Sequence, residues 1–185
     1  RRIFMSGNRV EIIVKDFTTE DGREVDLSQL RAERLPLEIY QQAHKGLIIP
    51  CHDVFINHNG RILLVNRDNY PAKDVLWPIG GRMDRGVSAE ESLTALTKKE
   101  SGLEIYNLRM IGMGRTFFYT SPFDHGRGTD TDNRVYFARG QGEIKLDALH
   151  SAPTLLTPDS YQAMRNGLED YVTTYIDFIL EKGLI

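Results

Sequence analysis

A chain of 185 residues is long enough for one well-buried core and short for two. Its 26% charged and 41% hydrophobic residues are near the averages of ordinary globular proteins, which argues against the disordered, fibrous and membrane classes. A net charge of −3 gives no general attraction for nucleic acid, so any phosphate site has to be built locally.

In chain order, Glu11-Ile12-Ile13-Val14 and the stretch 18–25, with Gly22 at its turn, predict an N-terminal hairpin. No apolar run approaches the ~20 residues that cross a bilayer, and residues 1–10 lack the apolar stretch of a secretory signal, so the expected home is the cytoplasm. Leu35, Ile39, Tyr40 and Ala43 recur at helical steps before Gly46, which predicts a short connecting helix ending there. Residues 46–56 and 61–65 read as strands joined by Asn57-His58-Asn59-Gly60, and Asn-Gly between apolar strands is a strong hairpin signal. The lone Cys51 lies inside that apolar run and reads as a buried structural thiol.

Val75-Leu76-Trp77-Pro78-Ile79 is a short strand entering Gly80-Gly81, bulky enough to wall a pocket. Ser88-Ala89-Glu90-Glu91 forms a capping box, so a helix is expected from Ala89 to about Ser101, stopped by Gly102. Strands are expected over 106–113, 116–120 and 134–138, with the polar, Gly-rich stretch 124–133 a loop suited to a flap. Thr157-Pro158 supplies a cap and a first-turn proline. Beyond it Tyr161, Met164, Leu168, Tyr171, Tyr175 and Phe178, at three- and four-residue steps, predict one long amphipathic C-terminal helix. Its aromatic stripe reads as core or as a self-association surface.

The segment Gly81-Arg82-Met83-Asp84-Arg85-Gly86-Val87-Ser88-Ala89-Glu90-Glu91-Ser92-Leu93-Thr94-Ala95-Leu96-Thr97-Lys98-Lys99-Glu100-Ser101-Gly102-Leu103 resembles the Nudix box, G-x5-E-x7-R-E-U-x-E-E-x-G-U. It keeps the glycine opening, the last glutamate and the closing Gly-Leu. It departs at Val87, Ala95, Leu96, Thr97 and Lys99, so most of the family's metal-binding carboxylates are absent. The pattern of Arg67 with Pro71, Trp77-Pro78-Ile79-Gly80-Gly81-Arg82, and Leu96-Thr97 before Glu100 is similar to the GDP-mannose mannosyl hydrolase branch of that superfamily. The likeness runs from about Pro50 to Thr157.

The resemblance implies an α/β (α+β) Nudix fold, a mixed sheet sandwiched between helices, with an N-terminal hairpin and a long C-terminal helix added. Residues 1–185 are expected to form a single domain: an extension over 1–46, the core over 47–157 and the final helix over 158–185. It implies Mg²⁺ held by Glu100 and the main-chain carbonyl of Gly80, diphosphate contacts from Arg67 and Arg82, a substrate contact from Trp77, and His150 as general base. Leu149 departs from the family, which has a metal-binding glutamine before that histidine.

The implied substrate is a small-molecule nucleotide sugar, cleaved between sugar carbon and diphosphate oxygen. No nucleic acid or membrane partner is expected. The alternative is a binding module, a Nudix fold that recognises a nucleotide, another ligand or a protein without turnover. Lys99 beside Glu100, taking the volume and charge of a metal, favours that alternative. Apolar segments beyond the core unit suggest a homodimer, formed through the N-terminal hairpin, the C-terminal helix or both. His44, His52, His58 and His125 show no metal-ligand spacing and are assigned no role.

Overall fold

The computed structural model describes residues 2–4, 11–17, 19–20, 23–33 and 35–185. In the extension, β1 (Arg2–Phe4) pairs antiparallel with β2 (Glu11–Ile13), and β3 (Thr19–Glu20) with β4 (Arg23–Glu24). The expected hairpin is therefore corrected: the strand at Glu11 takes the preceding segment as its partner. In the stretch after it Thr19–Glu20 pairs with Arg23–Glu24, and residues 21–22, where the turn is expected, lie outside the described residues. A 3₁₀ turn (Leu27–Leu30) and α1 (Leu37–Gly46) follow.

The core is built on β5 (Ile49–His58) and β6 (Arg61–Arg67), joined where Asn59 and Gly60 both take positive φ, 54° and 78°. That is the twist an Asn-Gly hairpin supplies. Next come β7 (Leu76–Trp77), β8 (Ile79–Arg82), α2 (Ala89–Ser101), β9 (Glu104–Phe118), β10 (Thr129–Gln141) and β11 (His150–Leu156). The main sheet runs β11-β6-β5-β10-β9, with β7 on β6 and β8 on β5. Only the β5–β10 pairing is parallel, so the sheet is mixed. Helices cover both faces. Val54, Ile56, Leu63 and Ile79 pack with Leu93 of α2, while Phe55, Ile62 and Leu64 pack with the C-terminal helices. A strand covered on both faces reads as an apolar run, as β5 does over Val54-Phe55-Ile56 and β6 over Ile62-Leu63-Leu64-Val65.

Ser88 Oγ accepts from the Glu91 amide at 3.1 Å, and Gly102 closes α2 at φ 73°. The Glu91 carboxylate itself accepts from Arg31 at 3.1 Å. The strands expected at 106–113 and 116–120 are one strand, β9. Glycines usually interrupt strands. Here a Cβ at Gly112 would lie 2.8 Å from the Tyr175 ring and one at Gly114 3.0 Å from the Tyr175 hydroxyl, so the glycines admit that ring and the ladder continues. β10 begins at Thr129, not after Asn133. The Arg115–Asp130 pair, at 2.9 and 2.7 Å, spans the two strands and shortens the loop to 119–128.

The long C-terminal helix is also corrected. α3 (Pro158–Met164) and α4 (Asp170–Glu181) are separated by a 3₁₀ turn over Arg165–Gly167 and an extended Leu168. The break lets both helices turn apolar side chains to one sheet face: Tyr161 from α3, and Val172, Tyr175, Ile176 and Ile179 from α4. Asp177 clamps the joint, accepting from the Tyr161 hydroxyl at 2.5 Å and from Arg165 at 2.6 Å. The aromatic stripe is thus core within the chain. No helix among the described residues is long and apolar enough to cross a membrane.

Candidate functional site

A pocket of about 260 Å³ is lined by Arg67, Trp77, Gly80, Arg82, Glu100 and His150 together. Strand register brings them there. β8 runs antiparallel to β5 with Gly80 opposite Asp53 and Arg82 opposite Cys51, and β11 runs antiparallel to β6 with His150 opposite Arg67. The Asp147 amide donates to the Glu100 carbonyl at 3.1 Å and the Lys145 amide to the Ser101 carbonyl at 2.8 Å, tying the approach to β11 to the end of α2. Ser92 Oγ accepts from the Asp84 amide at 2.9 Å and meets His52 Nε2 at 2.9 Å, which anchors the loop between Arg82 and α2. His52 is therefore structural.

His150 is the first residue of β11, 7% exposed. Its Nδ1 lies 2.8 Å from Asp147 Oδ1 and its Nε2 4.0 Å from Glu100 Oε2. With the carboxylate of Asp147 as acceptor, the neutral ring carries its proton on Nδ1 and presents a lone pair at Nε2. Asp147 Oδ1 also accepts from the Leu149 amide at 2.9 Å, which fixes the carboxylate that fixes the ring.

Burial pushes the Glu100 carboxyl up to about 7, with the charge of Asp147 adding to the rise and Arg67 and Lys99 opposing it. Its Oε2 is buried and has no hydrogen-bond partner among the described residues. A buried carboxylate oxygen without a partner is costly and points to a missing cation or proton. Burial also lifts Asp53 to about 6, against the pull of the Tyr171 hydroxyl, which donates to Oδ2 at 2.5 Å, and of Arg67. Burial lowers the Arg67 pKa, with Asp53 and Glu100 countering. Arg67 Nε donates to the Pro71 carbonyl at 2.9 Å. Arg82 lies over the Tyr40 ring at 4.5 Å. Trp77 is 7% exposed, stacked on Tyr171 at 4.8 Å with Phe118 against it at 5.7 Å, so it walls the pocket without offering an open face.

Gly80 cannot be replaced cheaply. A Cβ there would sit 2.0 Å from Asp53 Oδ1 and 2.5 Å from the His52 carbonyl oxygen. Gly80→Ala is expected to cost ~1–3 kcal/mol of stability as β8 is pushed off β5. Urea denaturation checks this, and an unchanged midpoint would show that the contact relaxes freely.

Two of the motif departures have a clear place. Leu96 packs its Cδ2 within 3.5 Å of where a Gly81 Cβ would be, so an apolar side chain stands beside the glycine pair where the motif has a glutamate. Lys99 is exposed on α2, so it does not fill the pocket, although its charge acts on Glu100. Asp53, Asp147 and Tyr171 were not singled out from sequence. Asp53 had a signal, a carboxylate directly before the apolar run Val54-Phe55-Ile56, and Asp147 stands three residues before His150. Tyr171 had none, being one of several aromatics on a stripe. Cys51 is buried as expected, with burial raising its thiol to about 12. The loop 119–128 meets α1 where His125 Nε2 lies 2.9 Å from His44 Nδ1 and Phe123 stands 5.5 Å from Tyr40.

Among the described residues no group of three or more His, Cys, Asp or Glu is arranged to hold a metal ion. Mg²⁺ asks for less, often one or two carboxylates with phosphate oxygens and waters completing six ligands. Glu100, whose Oε2 has no hydrogen-bond partner among the described residues, and Gly80, which lines the same pocket, fit that demand.

No family model matches the chain. A curated relative, the low-salt glycan biosynthesis protein Agl8 of Haloferax volcanii, is 23% identical over 150 residues, which cover 78% of this chain and 90% of the relative. The MutT protein from Methanosarcina mazei Go1 superposes with a TM-score of 0.57 at 15% identity, over 74% of this chain and 95% of that one. A bifunctional NMN adenylyltransferase/ADP ribose pyrophosphatase from Francisella tularensis gives a TM-score of 0.58 at 15% identity, over 78% of this chain and 44% of that one. The chain thus spans under half of that larger protein. These likenesses show the fold, a mixed sheet between helices as in Nudix hydrolases.

Proposed function

We propose that the chain is a Mg²⁺-dependent hydrolase of a nucleoside diphosphate sugar of the GDP-mannose type, breaking the bond between sugar carbon and diphosphate oxygen. The observation that carries the reading is the meeting of Arg67, Arg82, Glu100, Gly80 and His150 in one pocket. A relative named for glycan biosynthesis agrees with a sugar-bearing substrate.

Arg67 and Arg82 bind the diphosphate, and their fixed charge stabilises it as it departs. Glu100 and the Gly80 carbonyl would hold Mg²⁺, which supplies further neutralisation of that leaving group. His150 Nε2 takes a proton from water as the water oxygen bonds to the anomeric carbon. The carbon–oxygen bond to the diphosphate breaks, releasing the nucleoside diphosphate and the free sugar. Attack on phosphorus usually needs several carboxylate-held metals, and with Val87, Leu96 and Lys99 in place of motif glutamates Glu100 is the one such carboxylate that remains.

Hydrolysis of GDP-mannose in ¹⁸O-water is the test. Carbon attack puts the label in mannose and yields GDP; label in phosphate, with GMP and mannose 1-phosphate as products, overturns the mechanism. The second reading, a binding module without turnover, draws on Leu96 beside Gly81 and on the lack of a three-ligand cluster among the described residues. Tight binding of nucleotide sugars with no product from any of them would establish it.

A further inference from the structure

From β9 and β10, on the opposite side of the sheet from β11, the pocket is lined by side chains that the hydrolysis does not use. On β10, Thr131 stands opposite Ile49 of β5 and Thr116 of β9, and Asn133 stands opposite Cys51. Side chains two apart share a sheet face, so Thr131 and Asn133 lie on the floor that also carries Cys51 and Asp53. Both are buried, at 7% and 3% exposure, and both line the pocket with Thr116. Asn133 Nδ2 donates to Thr116 Oγ1 at 3.0 Å, and the Thr116 and Thr131 hydroxyls meet at 2.5 Å.

This is a fixed run of neutral donors and acceptors. With Nδ2 committed to Thr116, Asn133 keeps its amide oxygen and a second N–H for a ligand. Neutral groups of this kind cannot balance a phosphate. They suit the edge of a flat heterocycle that carries donors and acceptors together, and the Phe118 and Tyr40 rings line the same space.

We infer that Thr116, Thr131 and Asn133 form the nucleobase subsite and discriminate among bases by hydrogen bonding. The choice of base over sugar rests on the hydrolase reading above, in which His150, on β11 across the sheet, takes the anomeric carbon and so leaves this end to the nucleoside.

The test is calorimetric titration of the full chain, in Mg²⁺, with GDP, ADP, UDP, CDP, inorganic pyrophosphate and mannose 1-phosphate. At least one nucleoside diphosphate is expected to bind ~10-fold tighter than pyrophosphate, with the four spread over a similar range. Asn133→Ala and Thr131→Val should each weaken the preferred one ~3–10-fold and narrow the spread, while pyrophosphate stays within about twofold. Thr131→Val keeps the side-chain shape, so it carries the test if Asn133→Ala fails to fold. Equal loss for pyrophosphate, no loss for any nucleoside diphosphate, or loss confined to mannose 1-phosphate overturns the subsite. The two readings fail separately. Base-selective binding without hydrolysis of any nucleotide sugar sinks the hydrolase and keeps the subsite, and hydrolysis with base preference untouched by either substitution does the reverse.

Discussion

His150→Ala is expected to slow turnover of the nucleotide sugar by ~10²–10⁴-fold, the usual contribution of a general base, with substrate affinity little changed. The imidazole's side-chain hydrogen bond is at Nδ1, which Asp147 fixes at 2.8 Å, and Nε2, 4.0 Å from Glu100 Oε2, is the atom that would meet water. Loss of the ring therefore removes proton transfer and leaves Arg67 and Arg82 to bind the diphosphate as before. In kinetic terms kcat falls while KM stays near its original value. If water is delivered from the face opposite the leaving diphosphate, the sugar is released with inverted anomeric configuration. Proton NMR of the product before it mutarotates reads that configuration directly. A retained anomer, or a His150→Ala variant within about threefold of the parent, would remove His150 from the role.

Much of this site was legible because its parts belong to a contiguous, spaced pattern. Gly80, Arg82 and Glu100 sit within one strand, loop and helix, whose cap at Ser88 and stop at Gly102 are written locally. Arg67 and His150 were harder, since only the β6–β11 register makes them neighbours, and register is set by packing over the whole sheet. Asp53 was hidden by its setting. An acidic residue in a buried strand acquires meaning only when a tyrosine from α4, far along the chain, is seen to donate to it. The errors in the fold have the same origin. Gly112 and Gly114 look like strand breakers until Tyr175 is placed over them, and the regular aromatic spacing from Tyr161 to Phe178 conceals a bend that only the sheet beneath demands.

Glu100→Gln is expected to abolish the Mg²⁺-dependent rise in melting temperature and to flatten the pH dependence of the metal-free protein. Burial raises Glu100 from its ordinary 4.5 to about 7 in the folded chain. The folded state therefore holds a proton that the unfolded chain has already released. A raised carboxyl of this kind contributes stability that is fully present below the unfolded value and is lost as pH rises through the folded one. The window is about 4.5 to about 7 for Glu100, and Asp53 adds the same sign between 3.8 and about 6. The metal-free protein should accordingly lose ~1–3 kcal/mol from Glu100 across its window. A cation at the carboxylate has the opposite preference. It binds the ionised form, so Mg²⁺ should stabilise the protein more at pH 8 than at pH 5, in proportion to its occupancy. Glutamine is nearly isosteric and cannot ionise, so the substitution removes both effects without emptying the site. Thermal melts of the two proteins from pH 5 to pH 8, each with and without Mg²⁺, decide the matter. Full Mg²⁺ dependence in Glu100→Gln would place the metal elsewhere, and an unchanged pH slope would mean that the buried carboxylate is not the group whose ionisation the fold resists.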